Sequence, residues 1–322
     1  MDKASTLQVR VARRHVEALD ICSFELVAVN GAALPPFSAG AHIDVHLPNG
    51  LTRQYSLCND PQETQRYLIG VLRDPRSRGG SLSLHEHVQE GDILNIGAPK
   101  NHFPLTAQAG HSLLLGGGIG ITPMLAMAET LVREGADFAL HYCTRSADRT
   151  AFTTRIAASA FASQVQFHFD DGADLQRLAL EQTLVHPQAT AHLYVCGPTG
   201  FMDAVLAQAR ASGWDEAQLH YEFFSGQVVS EETDASFEVE IASSGQRIKV
   251  PKGVAVTTAL AAAGVEIITA CEQGVCGTCL TRVLAGTPDH RDSYLTPQEH
   301  AANDQFMPCC SRARSATLIL DI

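Results

Sequence analysis

Four cysteines in the C-terminal third of this chain constrain its fold more than any other feature. Cys271, Cys276, Cys279 and Cys309 follow the spacing C-x4-C-x2-C-x29-C, which is typical of a plant-type [2Fe–2S] site. Two bridged irons need four thiolate ligands, and iron transfers single electrons, which zinc does not. The spacing therefore predicts a one-electron carrier in this part of the chain.

The loop that holds the first three cysteines has the composition that a cluster requires. Gly274 and Gly277 allow positive φ and a close approach of the backbone, so that amide N–H groups can point at the sulfurs. A zinc site would need two C-x2-C pairs, whereas the second pair here is the adjacent Cys309 and Cys310. A disulfide framework is not expected in a chain of this size without a secretion signal. The spacing alone leaves Cys310 open as the fourth ligand, and we favour Cys309.

Length, charge and hydropathy exclude several classes of protein. The 322 residues allow two or three domains, and the net charge of −12 argues against a nucleic-acid partner. The longest apolar run, 113–132, contains four glycines, Pro123 and Glu129, so we expect no membrane span. Nine cysteines and an N-terminus without an apolar signal segment predict a cytoplasmic protein.

Alternating short strands and turns predict an antiparallel β-barrel over residues 1–105. Residues 7–12 and 23–29 alternate between apolar and polar side chains, and turn residues such as Asn30-Gly31 separate such stretches.

From residue 106 to 228, buried strands alternate with helices, which predicts an α/β domain with a parallel sheet. We expect Thr122 to cap its first helix, with Pro123 at the first helical position. A polar stretch, 229–235, is the predicted linker. Residues 236–322 then contain a predicted hairpin, a short helix at 257–263 and the cysteine loop, which together indicate an α+β ferredoxin domain.

Two glycine-containing turns in the α/β domain indicate a nucleotide site. In an open parallel sheet, ligands bind at the carboxyl ends of the strands, where glycines admit a diphosphate and helix N-termini supply N–H donors. The first turn departs from G-x-G-x-x-G because a proline occupies the last place, and a plain strand–helix turn is the alternative. Cys196 could equally be a small buried apolar residue. The predicted nucleotide-binding residues are Gly116, Gly117, Gly118, Gly120, Thr122 and Pro123 in the first turn, and Cys196, Gly197 and Pro198 in the second.

Two motifs in the barrel indicate a second phosphate-bearing ligand. Arg53-Gln54-Tyr55-Ser56 places a cation and an aromatic ring on one face of a strand and a hydroxyl group on the other. The segment Arg78-Gly79-Gly80-Ser81 combines a cation, two glycines and a hydroxyl group, which suits a phosphate. An exposed arginine and a solvated loop are the alternatives.

In their order along the whole chain, these motifs resemble the phthalate dioxygenase reductase family, which includes the vanillate demethylase and carnitine monooxygenase reductases. The resemblance implies FMN in the barrel, a pyridine nucleotide in the α/β domain and a C-terminal ferredoxin domain. FMN is implied by the domain order, since relatives with an N-terminal ferredoxin tend to use FAD.

The resemblance also implies roles for single residues. Arg53 and the segment 78–81 would hold the FMN phosphate, Tyr55 would flank the ring system, and Ser56 would bind near its reactive nitrogen. Cys196 would lie near the nicotinamide. Phe224 or its neighbour Phe223 would lie near the flavin ring, with plain core packing as the alternative.

The residues at the end of one strand leave the choice between NADH and NADPH open. An NAD fingerprint has an acidic residue roughly twenty positions past the glycines, whereas an arginine there favours NADP. The chain has Cys143-Thr144-Arg145-Ser146 at that point, which favours NADPH. The resemblance implies NADH, and we expect NADH.

Electron counting orders the cofactors. A nicotinamide gives two electrons as hydride and a [2Fe–2S] cluster takes one, so a flavin must stand between them. The sequence contains no Rieske motif, in which two histidines replace two cysteines. We therefore expect the external acceptor to be a terminal Rieske oxygenase on another polypeptide, which acts on an aromatic ring or removes a methyl group. The alternatives are a redox-sensing iron–sulfur flavoprotein and a flavin reductase without an oxygenase partner.

Overall fold

The computed structural model describes residues 6–75, 79–107, 109–185, 187–224, 234–269, 272, 274–275 and 277–322. The chain divides into two compact units, Met1–Phe224 and Ser225–Ile322. The predicted linker 229–235 lies outside the described residues except for its last two positions.

The first half of unit 1 is an antiparallel sheet in the order β4-β3-β6-β1-β2-β5, and β7 pairs with β3. A bridge between Leu57 and Ile69 closes the sheet from the end of β4 to β5. Side chains such as Phe24 and Ile43 fill its interior and are fully buried, as the period of two requires. The predicted antiparallel barrel is confirmed. Its elements are β1 (Leu7–Ala18), β2 (Ile21–Ala28), β3 (Ala41–His46), β4 (Thr52–Ser56), β5 (Tyr67–Leu72), α1 (Gly80–His87), β6 (Ile93–Ile96) and β7 (Lys100–Asn101).

The second half of unit 1 is a parallel five-stranded sheet in the order β10-β9-β8-β11-β12. From β8 the chain proceeds to β9 and β10 on one side and then returns to β11 on the other. The strand order thus reverses between β8 and β11, which is where open α/β sheets bind ligands. The elements are β8 (His111–Gly117), α2 (Ile121–Glu134), β9 (Phe138–Thr144), α3 (Thr153–Ala158), β10 (Val165–Phe169), α4 (Leu180–Thr183), β11 (Ala191–Cys196), α5 (Thr199–Ala211) and β12 (Leu219–Glu222).

One predicted helix boundary is wrong. Thr122 does not cap α2, because a 3-10 turn over Gly118–Gly120 runs directly into the helix and Gly120 occupies the capping position. The Thr122 hydroxyl instead donates to the carbonyl oxygen of Ile119 at 3.0 Å. The three-residue turn satisfies backbone groups that a side-chain cap would otherwise serve.

Unit 2 is built on a mixed sheet in the order β14-β13-β19-β15-β17, with β16 and β18 as a separate pair. β13 runs parallel to β19 and antiparallel to β14, so the predicted hairpin and the α+β class are confirmed. Its elements are β13 (Phe237–Ile241), β14 (Arg247–Val250), α6 (Val256–Ala262), β15 (Thr281–Ala285), β16 (Pro288–Asp289), α7 (Pro297–Ala302), β17 (Gln305–Phe306), β18 (Arg312–Ala313) and β19 (Thr317–Leu320).

The start of unit 2 is tied to its own later segments by two arginines. Arg291 forms a 2.5 Å ion pair with Asp234, and Arg312, which is buried, lies 3.6 Å from the same carboxylate. Arg312 also donates to the carbonyl oxygens of Ala235 and Pro251. Within the described part of the chain, no helix is both long and apolar enough to cross a membrane.

Candidate functional site

Strand β4 and the start of α1 lie against each other in the barrel and form a candidate phosphate site. A Cβ atom on Gly80, the first residue of α1, would lie 2.7 Å from Cγ of Arg53 and 2.8 Å from its Nε. Glycine at this position therefore lets the arginine side chain lie across the helix N-terminus, where N–H groups and the helix dipole attract anions. The preceding Gly79 has φ of 87°, the left-handed region that glycine adopts without strain.

The loop before α1 is held by side chains on both sides. The Asn49 amide donates to the carbonyl oxygen of Gly79, and the Ser81 hydroxyl accepts from the backbone N–H of Asp74. Arg53, Gly79, Gly80 and Ser81 thus lie together, as expected for a phosphate site, whereas Arg78 lies outside the described residues. This donor set fits the phosphate of FMN.

The two faces of β4 are divided as the alternation predicts. Tyr55 pairs with Ile43 in the barrel interior, whereas the next residue, Ser56, pairs with His42 and turns to the other face. Burial raises the pKa of the Tyr55 phenol well above its ordinary value, so the ring stays neutral. Ser56 is itself buried, with 4% of its surface exposed.

The two glycine-containing turns of the parallel sheet lie against each other. A Cβ atom on Gly120 would overlap the backbone of Cys196, and one on Gly197 would lie 3.0 Å from Cα of Gly117. Gly118 has φ of 54° and open space around its Cα, so the backbone there is accessible. Glycines thus bring both turns to one edge of the sheet, which is the arrangement that a dinucleotide requires.

Other predicted residues of this edge are buried. A Cβ atom on Gly70 of β5 would lie 2.8 Å from the Thr122 methyl group, so the first turn of α2 packs against the barrel. Pro123 is also buried, whereas Pro198 is exposed beside Gly117 at the mouth of the turn. Cys196 is fully buried, and burial followed by the nearby Glu222 raises the pKa of its thiol well above the ordinary value. This thiol is not a reactive nucleophile.

Glu222, at the end of β12, is a site residue that the sequence analysis missed. Its carboxyl group lies close to Ser56 of the barrel, and burial raises its pKa to about 8. His42 of β3 lies 3.8 Å away. Glu222 thus brings barrel residues 53–56 close to the edge of the parallel sheet at which the two glycine-containing turns lie. In the sequence, only the adjacent Phe223-Phe224 pair points to this segment.

The two phenylalanines that follow β12 differ in environment. Phe223 packs against the core between the parallel sheet and α5, which fits the plain core alternative. Phe224 is 36% exposed and is the one available to cover a ring.

Two acidic residues follow the strand next to β9, whose own end has none. Asp170 and Asp171 directly follow the neighbouring strand β10, and their backbone N–H groups donate to the carbonyl oxygens of Thr144 and Arg145. The backbones of Asp170 and Asp171 therefore lie beside Thr144 and Arg145, at the edge where an adenosine ribose would bind. Asp170 and Asp171 are therefore candidates for the ribose contact that the sequence pattern places at the end of β9.

Cysteines and positive-φ glycines meet in unit 2 as the spacing predicts. Cys279, Cys309 and Cys310 are buried in one apolar cluster with Met307. Gly274 and Gly277 both have φ of 72°, so their predicted conformation is confirmed.

Neither of these loop glycines could carry a side chain. A Cβ atom on Gly277 would overlap the Tyr294 ring, and one on Gly274 would overlap Sγ of Cys310. Cys271 and Cys276 lie outside the described residues. Buried thiols behind a tightly packed glycine loop fit the dry, sulfur-rich surroundings of a [2Fe–2S] cluster.

Comparisons with known proteins agree with this arrangement. Residues 239–314 match the 2Fe-2S iron-sulfur cluster binding domain, and residues 114–207 match the oxidoreductase NAD-binding domain. The chain is 56% identical to vanillate O-demethylase oxidoreductase of Pseudomonas putida, over 97% of this chain and 98% of that one. It is 39% identical to phthalate dioxygenase reductase of Burkholderia cepacia, over 98% and 97% of the two chains.

Among solved structures, a phthalate dioxygenase reductase is described as a modular structure for electron transfer from pyridine nucleotides to [2Fe–2S]. It superimposes with a TM-score of 0.78 at 39% identity, and the match covers 99% of this chain and 98% of that one.

Proposed function

Because this chain belongs to the family of phthalate dioxygenase reductase and vanillate O-demethylase oxidoreductase, we propose that it is the NADH-dependent reductase of a Rieske-type oxygenase system. The relay runs from NADH through FMN and a [2Fe–2S] cluster to a terminal oxygenase. The observation that carries the proposal is the position of Glu222 beside Ser56 and 3.8 Å from His42, which brings the end of β12 to barrel residues 53–56.

The residues of unit 1 bind and orient the two nucleotides. Arg53 and the start of α1 hold the FMN phosphate, and Ser56 hydrogen-bonds at the ring. The paired turns at Gly117 and Gly197 admit the NADH diphosphate to the backbone. When bound, the flavin converts a two-electron hydride donor into a source of single electrons. Ser56 and Cys196 are both buried, which excludes water from the place where the hydride is transferred.

The residues of unit 2 hold the cluster from which electrons leave. Cys271, Cys276, Cys279 and Cys309 are the proposed ligands. Plant-type clusters have potentials near about −400 mV, and Rieske centres lie from about −150 mV upward. A difference of roughly 250 mV corresponds to about four decades in the equilibrium constant for one electron. Delivery to a Rieske centre is therefore strongly downhill.

The proposed partner is an oxygenase that removes a methyl group from an aromatic ether, since the 56% identical relative is an oxidoreductase of vanillate O-demethylase. We also propose that the protein works in the cytoplasm, where thiolate ligands stay reduced. The seven cysteines that the structure describes are all free.

The test is NADH-dependent reduction of cytochrome c, which takes one electron at a time. We expect activity in the wild type. In Cys276→Ser we expect loss of cytochrome c reduction with NADH–ferricyanide reduction retained, because ferricyanide accepts electrons from the flavin directly. Zinc in place of iron and sulfide on elemental analysis would contradict the proposal and favour a flavin reductase without an oxygenase partner.

A further inference from the structure

The two histidines of unit 2 meet at one buried carboxylate. Between residues 225 and 322 the sequence contains only His290 and His300. Nδ1 of His290 lies 3.7 Å from Oδ1 of Asp292, and Nε2 of His300 lies 3.2 Å from Oδ2 of the same side chain. The two imidazole rings stack with their centroids 4.4 Å apart. One nitrogen or oxygen atom from each of the three residues lies within 4.8 Å of the other two.

One of these histidines is buried without a hydrogen bond. The side chain of His290 is 9% exposed, and among the described residues neither of its ring nitrogens has a hydrogen-bond partner. The side chain of Asp292 beside it is fully buried. Buried polar atoms are nearly always hydrogen-bonded, so two unsatisfied nitrogens next to a buried carboxylate call for an explanation. A neutral imidazole nitrogen is the commonest metal ligand in proteins.

The carboxylate of Asp292 is oriented by hydrogen bonds from neighbouring groups. The backbone N–H of Leu295 donates to its Oδ2 at 2.8 Å, and the Ser311 hydroxyl donates to its Oδ1 at 3.4 Å. Hydrogen bonds of this kind fix the direction of a metal-binding carboxylate and regularly accompany metal sites. Each carboxylate oxygen has about two lone pairs, so both oxygens can still face the histidines.

Two neighbouring arginines are paired with a different carboxylate. Arg314, whose charge also reaches His290, forms a 3.2 Å ion pair with Asp289, and Arg291 forms one with the same carboxylate at 2.6 Å. Their repulsion of a cation beside Asp292 is reduced accordingly, because an opposite charge stands close to each of them.

We propose that His290, Asp292 and His300 bind one divalent transition-metal ion of the zinc type. Two imidazole nitrogens and one carboxylate oxygen suit such an ion, and water supplies the fourth ligand. Tetrahedral bonds of about 2.0–2.1 Å place neighbouring ligand atoms roughly 3.4 Å apart, and the two nitrogen–oxygen separations are already close to this value. Stacked rings do not direct both nitrogens at one ion. A rotation of His300, whose side chain is 30% exposed, completes the site.

The ion connects α7 to the segment that supports the cysteine loop. A Cβ atom on Gly274 would lie 2.9 Å from Cβ of Asp292, and the backbone N–H of Ser293 donates to the carbonyl oxygen of Gly274 at 3.0 Å. His300 lies on α7. Metal binding therefore fastens this helix to the support of the loop and slows the loss of the cluster. The ion is additional to the iron of the cluster and carries no electrons, so this inference does not depend on the proposed function.

Equilibrium dialysis of the full-length, cofactor-loaded protein against zinc tests the site. We expect one bound zinc per chain with a Kd of about 1 μM or lower, together with an unchanged content of iron and sulfide. His290→Gln and His300→Gln should each weaken zinc binding at least about tenfold. His141→Gln and His192→Gln are the matched controls, because each of these histidines is hydrogen-bonded to another histidine in unit 1. Both controls should bind zinc as the wild type does.

X-ray absorption at the zinc edge identifies the ligands directly. We expect nitrogen and oxygen neighbours at about 2.0–2.1 Å with the scattering pattern of imidazole, and no sulfur at about 2.3 Å. Sulfur around the zinc would mean that zinc had replaced iron in the cluster, and it would overturn the proposed site. Equal zinc binding by the wild type, His290→Gln and His300→Gln would overturn it as well.

The rate of cluster loss in urea tests the effect of the ion on unit 2. Zinc at about 100 times its Kd should slow the loss of the visible cluster absorption about tenfold in the wild type, because it binds the folded unit alone. The same concentration should have no effect in His300→Gln, whereas His141→Gln should respond as the wild type does. Histidines with a purely structural role would give rates that do not depend on zinc in any of these proteins, and that result would contradict the inference.

Discussion

A Cβ atom on Gly120 would overlap the carbonyl oxygen of Cys196. One residue lies at the turn after β8 and the other at the end of β11, so this contact fixes the distance between the two strand ends of the candidate nucleotide site.

We therefore expect Gly120→Ala to force these two turns apart. The Michaelis constant for NADH should rise about tenfold or more, whereas FMN and iron content stay at wild-type levels. Gly118→Ala is the comparison, because that position has open space and suffers only the strain of φ at 54°, about 1 kcal/mol. Equal effects of the two substitutions on NADH binding would show that the contact with Cys196 is unimportant.

Arg53 should matter for FMN and not for riboflavin. Loss of a charged hydrogen bond to phosphate costs about 1.5–3 kcal/mol, so Arg53→Gln should weaken FMN binding roughly 10- to 150-fold. Riboflavin lacks the phosphate and should bind wild type and variant alike. Flavin fluorescence quenching during titration of the flavin-depleted protein measures both constants. A parallel loss of riboflavin affinity would assign Arg53 to the ring and not to the phosphate.

Cys309 and Cys310 should differ in their effect on the cluster. Both are buried, but only Cys309 completes the four-ligand spacing. Cys309→Ser should lose the visible absorption of the cluster together with acid-labile sulfide. Cys310→Ser should keep about two irons and two sulfides per chain, as a [2Fe–2S] cluster requires. The reverse result would make Cys310 the fourth ligand.

The nucleotide preference should depend on the acids that follow β10. Asp170 and Asp171 stand beside Arg145 and would repel the 2′-phosphate of NADPH. The double variant Asp170→Asn with Asp171→Asn should lower the ratio of kcat/KM for NADH over NADPH about tenfold. Arg145→Gln should instead lower any remaining activity with NADPH. An unchanged ratio in the double variant would remove these carboxylates from the ribose site.

Glu222 should make the stability of unit 1 depend on pH. Folding raises its pKa from 4.5 to about 8, so between these values the folded chain retains a proton that the unfolded chain releases. The free energy of unfolding therefore falls as pH rises through this window, by about 5 kcal/mol at most, and the loss is complete above about pH 8. His42, whose pKa is lowered to about 4, acts in the opposite direction between about pH 4 and 6.5.

Glu222→Gln isolates this contribution, because glutamine does not ionise. Its stability relative to the wild type should increase with pH from about 5 to 8 and then level off. The single tryptophan, Trp214, is buried in the core of the parallel-sheet domain and reports unfolding of this region by fluorescence. A difference between variant and wild type that is constant with pH would mean that Glu222 is ionised in the folded protein.

Local patterns in the sequence predicted the main elements and the conformation of several candidate-site residues. Positive φ at Gly274 and Gly277, and the opposite faces of Tyr55 and Ser56, follow from spacing and period alone. The predictions that failed involve either a competing local structure or a contact between residues that are distant in sequence. Thr122 does not cap α2, because a 3-10 turn, which hydrophobic periodicity does not reveal, runs directly into the helix.

Glu222 and Asp170 were missed for a different reason. Each acquires its role from a strand that is distant in sequence. The carboxyl group of Glu222 meets the barrel, and Asp170 stands beside the end of β9. A glutamate in a short edge strand and an aspartate in a loop are both ordinary in sequence, and only the fold brings them to the candidate site.

The two arginines that hold Asp234 have a consequence for how such a chain can evolve. Arg291 and Arg312 tie the first described residues of unit 2 to its own later strands, and Arg312 is only three residues past Cys309. The attachment point is therefore stabilised from inside the unit. A gene segment that encodes unit 2 could be joined to the gene of a different upstream protein, and the unit would still fold around its cluster. Recombination can therefore transfer this electron-donating unit from one protein to another.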